Sequence, residues 1–289
     1  MLSRYFIDRA SKNIVFVCAF ASILVLIAIF VFVLKEGLPA FQRVGIIDFL
    51  FGTEWRPGIG EFGILPMIIG SLYVTFGAML LAVPLGIGCA ILLAEVAPFK
   101  ARQIIRPAVE LLVGIPSVVY GLVGMLLIVP VIREIGGAGF SILAASIVLA
   151  AMMLPTIISI SEDAIRAVPR GYKEGALAMG ATHWQTIWHV LLPAARSGIT
   201  AAVVLGMGRA IGETMAMIMV IGNSVKIPVS PLDSGRTLTG NIAMEITYAD
   251  PEHMNALFAT GIVLFFLIVI LNGTAIIALK RGGRAYNAG

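Results

Sequence analysis

The chain has 289 residues, of which 59% are hydrophobic and only 12% charged, with a net charge of +4. Soluble domains carry about 25% charged residues, so the composition argues against a cytosolic enzyme, a disordered tail and a disulfide-rich secreted module, and favours an integral membrane protein. Cys18 and Cys89 lie in apolar runs, the three histidines form no metal motif, and no Lys is followed by Ser or Thr. Zinc and redox motifs and a Walker A nucleotide site are thereby excluded. The pI of about 9.2 has a topological cause, because cytoplasmic loops of membrane proteins collect Lys and Arg; nucleic-acid binding is not implied.

A helix needs about 20 apolar residues to cross the hydrocarbon core. Six runs qualify: residues 14–34, 64–94 (interrupted by Pro84), 108–132 (with Glu110 near its start), 137–160, 197–222 (with Arg209 and Glu213 inside) and 256–279. Arg4, Arg9 and Lys12 precede the first run as in a signal peptide, but the run exceeds an ordinary signal core, and a retained anchor is expected. Thirteen of the twenty Lys and Arg fall on the side of both termini and six on the other, which predicts cytoplasmic termini. The expected organisation is an all-α bundle of six transmembrane helices. Residues 1–63 form the N-terminal tail, first span and first extracytoplasmic loop; 64–280 form a five-span core; 281–289 form a cytoplasmic tail.

The longest cytoplasmic segment, 161–196, reads as helices. Ser159 with Glu162 fits a capping box, and Pro169 ends that short helix. A second helix, 171–179, stops at Gly180. Thr182 with Gln185 forms another capping box. Trp184, Ile187, Trp188 and Leu191 then follow at i, i+3, i+4 and i+7, an amphipathic pattern that Pro193 ends.

Within this segment Glu174-Gly175-Ala176, then Gly180, then Val190 and Leu192-Pro193 resemble the EAA loop of binding-protein-dependent ABC importer permeases. Gly175 stands where the family has Ala. The resemblance implies that Glu174, Gly175, Ala176, Gly180, Leu192 and Pro193 dock the chain onto a cytoplasmic ATPase.

Arg209 and Glu213 are four residues apart in the fifth span and are expected to share a helix face with Ala202, Gly206 and Ala216. An intramembrane Arg costs at least about 2.5–3.5 kcal/mol, so it should face a bundle interior or an aqueous cavity. Two readings stand from the residues alone: a structural ion pair, or an anion site in which the guanidinium grips oxyanion oxygens in a bidentate way. The Gly208 and Gly212 spacing also permits close helix approach.

The segment 206–216, with Gly60-Glu61-Phe62-Gly63-Ile64-Leu65-Pro66 and Gly114-Ile115-Pro116-Ser117-Val118-Val119-Tyr120-Gly121, resembles the phosphate-specific (Pst) importer permeases, in particular their C-type subunit. The resemblance implies a type I, MetI-like ABC importer permease fold in the bacterial cytoplasmic (inner) membrane. It implies a role for Arg209 and Glu213 in phosphate passage. The expected partners are a second, A-type permease, an ATP-binding cassette ATPase dimer that holds ATP and magnesium, and an extracytoplasmic phosphate-binding protein. No cofactor and no catalytic residue is expected on this chain.

Ser117 and Tyr120 can offer hydroxyls to an anion beside the Pro116 distortion, or satisfy backbone groups freed by it. Ser71 and Thr75 are expected to bond backbone or a neighbouring helix, and Glu110 to pair with Arg106. A permease for sulfate, molybdate or phosphonate is the alternative to phosphate. A channel or secondary transporter would not need the docking loop.

Overall fold

The computed structural model describes the backbone of residues 2–284 and the side chains of Arg9 and residues 11–277. The expected tail at 281–289 lies largely outside the described residues, as do the side chains of Arg4, Lys280, Arg281 and Arg284. The first helix, α1 (Leu2–Val44), takes in the first predicted span. After Gly45, at φ 86°, comes α2 (Ile46–Phe51). A small antiparallel hairpin follows, β1 (Trp55–Arg56) and β2 (Glu61–Phe62), with Trp55 opposite Phe62. Helix α3 (Leu65–Ile91) runs unbroken through Pro84 into a π turn, Leu92–Val96. Next are α4 (Phe99–Val113), α5 (Ser117–Val123), a π turn (Gly124–Ile128) and α6 (Val129–Ile135). The long α7 (Ile142–Arg166) leads to the segment between the fourth and fifth spans, α8 (Arg170–Ala178) and α9 (His183–Thr186). A π turn (Ile187–Leu191) opens into α10 (Leu192–Ile211), and the short α11 (Met215–Val220) follows. The chain closes with α12 (Leu238–Glu245) and α13 (Pro251–Arg284).

Among the described residues six segments are long and apolar enough to cross a membrane: Ser11–Val44, Leu65–Val96, Ser117–Ile135, Ile142–Arg166, His183–Ile211 and Pro251–Ile277. Of these, α7 is the most enclosed and α1 the least. The core around α7 gathers Val148, Leu149, Met152, Met153, Ala210 and Met217. Lipid tails give apolar residues no drive to associate, so close backbone approach through small residues carries the packing. A Cβ on Gly77 would meet Ser146 Oγ at 2.4 Å, and one on Gly198 would meet Ala164 Cβ at 2.3 Å. Gly206 and Gly86 lie against Ile157 in the same way.

Several boundaries differ from the sequence expectation. The third span starts at Ser117, and 108–113 belong to the separate α4. Pro116 disfavours helical backbone at Ile115, and α4 closes with Gly114 N–H donating to Leu111 O at 3.1 Å. Ser159 and Glu162 make no capping box, because α7 continues through them to Arg166. Pro193 does not end a helix; it sits at the start of α10. Each of the three π turns comes just before a proline, Pro98, Pro130 or Pro193. A proline lacks the N–H and its ring presses on the carbonyl four residues back; the wider π turn makes room for that carbonyl. The π turn at 187–191 also splits the predicted stripe. Ile187 and Leu191 are buried, whereas Trp184 and Trp188 are more than half exposed.

Candidate functional site

The fifth span is broken. α10 ends at Ile211, residues 212–214 are not helical, and α11 restarts at Met215. Arg209 sits in the last turn of α10, and Glu213 lies in the break. Glu213 therefore does not share a helix face with Arg209, and among the described residues no ion pair joins them. Its carboxylate instead caps α11, Oε1 accepting from Ala216 N–H at 3.2 Å. Its carbonyl accepts from Thr239 Oγ1 of α12 at 2.9 Å. Ala202, Gly206 and Ala216 are buried against neighbouring helices and do not line the exposed face that carries Arg209. Gly208 and Gly212 carry no close helix contact, since the nearest atoms to their ideal Cβ lie at 3.6 and 3.7 Å; Gly198 and Gly206 do that work.

Gly206, one turn before Arg209, packs on Ile157 and Met153, close to the midpoint of α7. Arg209 thus lies about halfway through the bundle, exposed on this single chain. Among the described residues its guanidinium has no hydrogen-bond or ion-pair partner. It is near enough to the Tyr120 phenol to act on it electrostatically. A bare guanidinium at that depth is incompatible with lipid contact. The face it occupies must meet water or another protein surface.

The two distorted spans meet here. A Cβ on Gly121 of α5 would fall 2.8 Å from the Ala216 Cα of α11, so glycine allows the contact. Tyr120 Oη donates to Leu112 O at 3.0 Å across the Gly114–Pro116 break. That is the backbone-satisfying geometry, in which the hydroxyl is engaged with the chain itself. Ser117 opens α5 and is half-buried.

In the segment between the fourth and fifth spans, Glu174, Gly175 and Ala176 occupy the middle of α8, which buries none of its residues. Gly180 at φ 87° closes the helix. Its N–H donates to Leu177 O at 3.0 Å, and Ala181 N–H donates to Ala176 O at 3.1 Å. Nothing lies within 4 Å of the position a Gly180 Cβ would take; backbone conformation, not space, calls for glycine. The Thr182–Gln185 capping box is complete. Leu192 and Pro193 begin α10. Behind α8 opens a cleft of about 490 Å³, lined by Glu95, Arg102, Arg166, Arg170, Lys173 and Glu174 among others.

Two charge clusters escaped the sequence reading. In α7, Glu162 is only 1% exposed and pairs with Arg166 at 2.5 Å, Arg102 at 3.7 Å and Arg106 at 3.8 Å. Arg209 and Glu213 are therefore not alone within the spans. The i, i+4 spacing of Glu162 and Arg166 is the signal the sequence offers for this pair, and it competes with the cap pattern of Ser159 and Glu162. Arg106 also binds Glu110 at 3.1 Å, the expected pair. Near the other end, Glu245 accepts from Trp55 Nε1 at 2.8 Å and pairs with Arg236 at 2.5 Å and His253 at 2.9 Å. Trp55 is 190 positions from Glu245, and no local spacing announces such a contact. Ser71 and Thr75 bond as expected: Thr75 Oγ1 donates to Ser71 O at 2.7 Å, and Ser71 Oγ accepts from Leu238 N–H at 3.0 Å.

Residues 82–279 match the family described as "Binding-protein-dependent transport system inner membrane component". The chain is 45% identical over 272 residues to the "Probable ABC transporter permease protein YqgH" of Bacillus subtilis, covering 90% of this chain and 88% of that protein. It is 37% identical over 269 residues to the "Phosphate transport system permease protein PstC" of Xylella fastidiosa, covering 85% and 83%. The Haemophilus influenzae protein of that name is 32% identical, covering 92% and 90%. A chain of the structure "Inward facing conformations of the MetNI methionine ABC transporter" superposes with a TM-score of 0.55 at 23% identity, over 77% of this chain and 95% of that one. That likeness establishes the MetI-like fold. The protein therefore belongs to the binding-protein-dependent transport system inner membrane components, as a multi-pass ABC importer permease that works with a binding protein and an ATPase and is not itself an enzyme.

Proposed function

We propose that this chain is the C-type permease subunit of an ATP-driven inorganic phosphate importer and forms half of its translocation path. The observation that carries the reading is Arg209, a guanidinium without a hydrogen-bond or ion-pair partner among the described residues, halfway through an apolar bundle, where contact with lipid is costly. Phosphate offers the charge and the paired oxygens that a guanidinium fits. The 37% identity with a protein named for phosphate transport supports phosphate over sulfate, molybdate or phosphonate.

In this reading the Arg209 face meets a second, A-type permease, and phosphate passes between the two. Glu213 shapes the break that presents Arg209. Ser117 and Tyr120 border the path, with Tyr120 holding the Pro116 break closed. Glu174, Gly175, Ala176, Gly180, Leu192 and Pro193 dock onto one subunit of an ATPase dimer, which holds ATP and magnesium. Both termini lie in the cytoplasm, and the loops at 35–63 and 223–255 receive the phosphate-binding protein. ATP binding closes the ATPase dimer, displaces α8 and rocks the spans so that the path opens outward.

The test is ATP hydrolysis by the reconstituted complex with its binding protein. Phosphate should stimulate it and sulfate should not. Stimulation by sulfate and not by phosphate overturns the substrate assignment.

A further inference from the structure

α8 buries none of its own residues, with Leu177 lining the cleft beside Ile165, Val168 and Leu191. It is joined covalently at both ends, to α7 through residues 167–169 and, through the Gly180 turn and the Thr182 cap, to the span that ends beside Arg209. A further tie crosses the cleft. Lys173 of α8 forms an ion pair with Glu95, in the π turn that ends the α3 span. The Glu95 side chain is 12% exposed and that of Lys173 36%, so the pair is partly withdrawn from water, where charges attract more strongly than on an open surface.

The other end of the same span is tied as well. Ser71 Oγ accepts from Leu238 N–H at the start of α12. One residue earlier, a Cβ on Gly70 would fall 2.3 Å from the Arg236 carbonyl oxygen, so α3 and the segment leading into α12 touch backbone to backbone. Thr239 of α12 then donates to the Glu213 carbonyl in the broken span. A continuous physical path thus runs from α8 along one helical span, through α12, to the residue that caps α11 next to Arg209. Coupling travels through such contiguous rigid elements.

We propose that the Glu95–Lys173 ion pair is a coupling strut, through which movement of α8 drives α3 together with α10 and reaches the Thr239–Glu213 contact from the extracytoplasmic side. The proposal rests on the reading of α8 as the ATPase-docking helix. With the strut cut, α8 would still pull on α7 and α10 through the chain, but α3 would lose its direct link to α8 and the α12 contact over the break would follow less. ATP would be hydrolysed with little phosphate moved.

The experiment compares wild type, Glu95→Gln, Lys173→Met and Lys173→Arg in the reconstituted complex with ATPase and binding protein. Phosphate moved per ATP hydrolysed is measured together with the ATPase retained on the vesicles. Either neutralising variant should lower that ratio by about fivefold or more, the size of a typical coupling term, with the ATPase retained and Lys173→Arg near wild type. An unchanged ratio in the neutralising variants overturns the strut. So does an equal fall in Lys173→Arg, or loss of the ATPase in Glu95→Gln. The docking reading fails by a different sign: a Gly180→Trp variant that keeps its ATPase bound and coupled.

Discussion

The Glu245 cluster and Arg209 are opposite treatments of charge in one apolar molecule. Glu245 gathers Trp55, Arg236 and His253 around its two oxygens, and Arg236 also reaches Asn241 Oδ1 at 2.9 Å and Asn223 O at 3.0 Å. The cluster joins the β1–β2 hairpin, α12 and α13, and every charge in it is answered by the same chain. Among the described residues Arg209 has no hydrogen-bond or ion-pair partner, and it stands exposed at mid-depth. A buried charge that is paired and hydrogen-bonded is tolerated by the fold and becomes costly once one partner is removed. One left unpaired where desolvation is costly is kept for a partner or a ligand.

Substitution can break that contrast at either end. The largest stability effect is expected from Glu245→Leu, which leaves the Arg236 guanidinium buried without its counter-charge. Removing one partner of a buried pair costs about 3–5 kcal/mol, to be seen as a lowered thermal transition of the solubilised complex. Thr182→Ala removes one capping bond at the start of α9 and should cost about 1 kcal/mol, measured in the same assay. Arg209→Gln should change stability least, within about 0.5 kcal/mol, because no ion pair or hydrogen bond among the described residues is lost with it. A destabilisation of several kcal/mol at Arg209 would make it a structural charge like Arg236 and erase the contrast.

How much of this was legible depended on range. The spans followed from runs of apolar residues, the α8 stop from Gly180, and the cap from Thr182 and Gln185, because each is decided within one or two turns. The MetI-like fold came through the resemblance carried by residues 60–66, 114–121 and 206–216, and the expectation of a docking loop through that carried by residues 174–193. Boundaries went wrong where a proline met a π turn. Pro193 reads as a stop, yet the turn at 187–191 absorbs its missing N–H. The break at 212–214 was hidden because Arg209 and Glu213 have helical spacing, while the capping of Ala216 by Glu213 and the Thr239 contact come from tertiary structure. Glu162 was misassigned because Ser159 and Glu162 match a cap pattern; three arginines, two of them on α4, stabilise it inside α7 instead. The Glu245 cluster joins residues too distant in the chain to be paired by inspection.

In the proposed function Arg209 serves passage of phosphate and not the fold. Phosphate uptake by vesicles carrying the complete Arg209→Gln transporter tests it most directly, with complex assembly and thermal transition read from the same preparation. Uptake should fall to background while assembly and transition stay at wild-type values. Uptake at the wild-type rate, or its loss only together with the assembled complex, would contradict the claim.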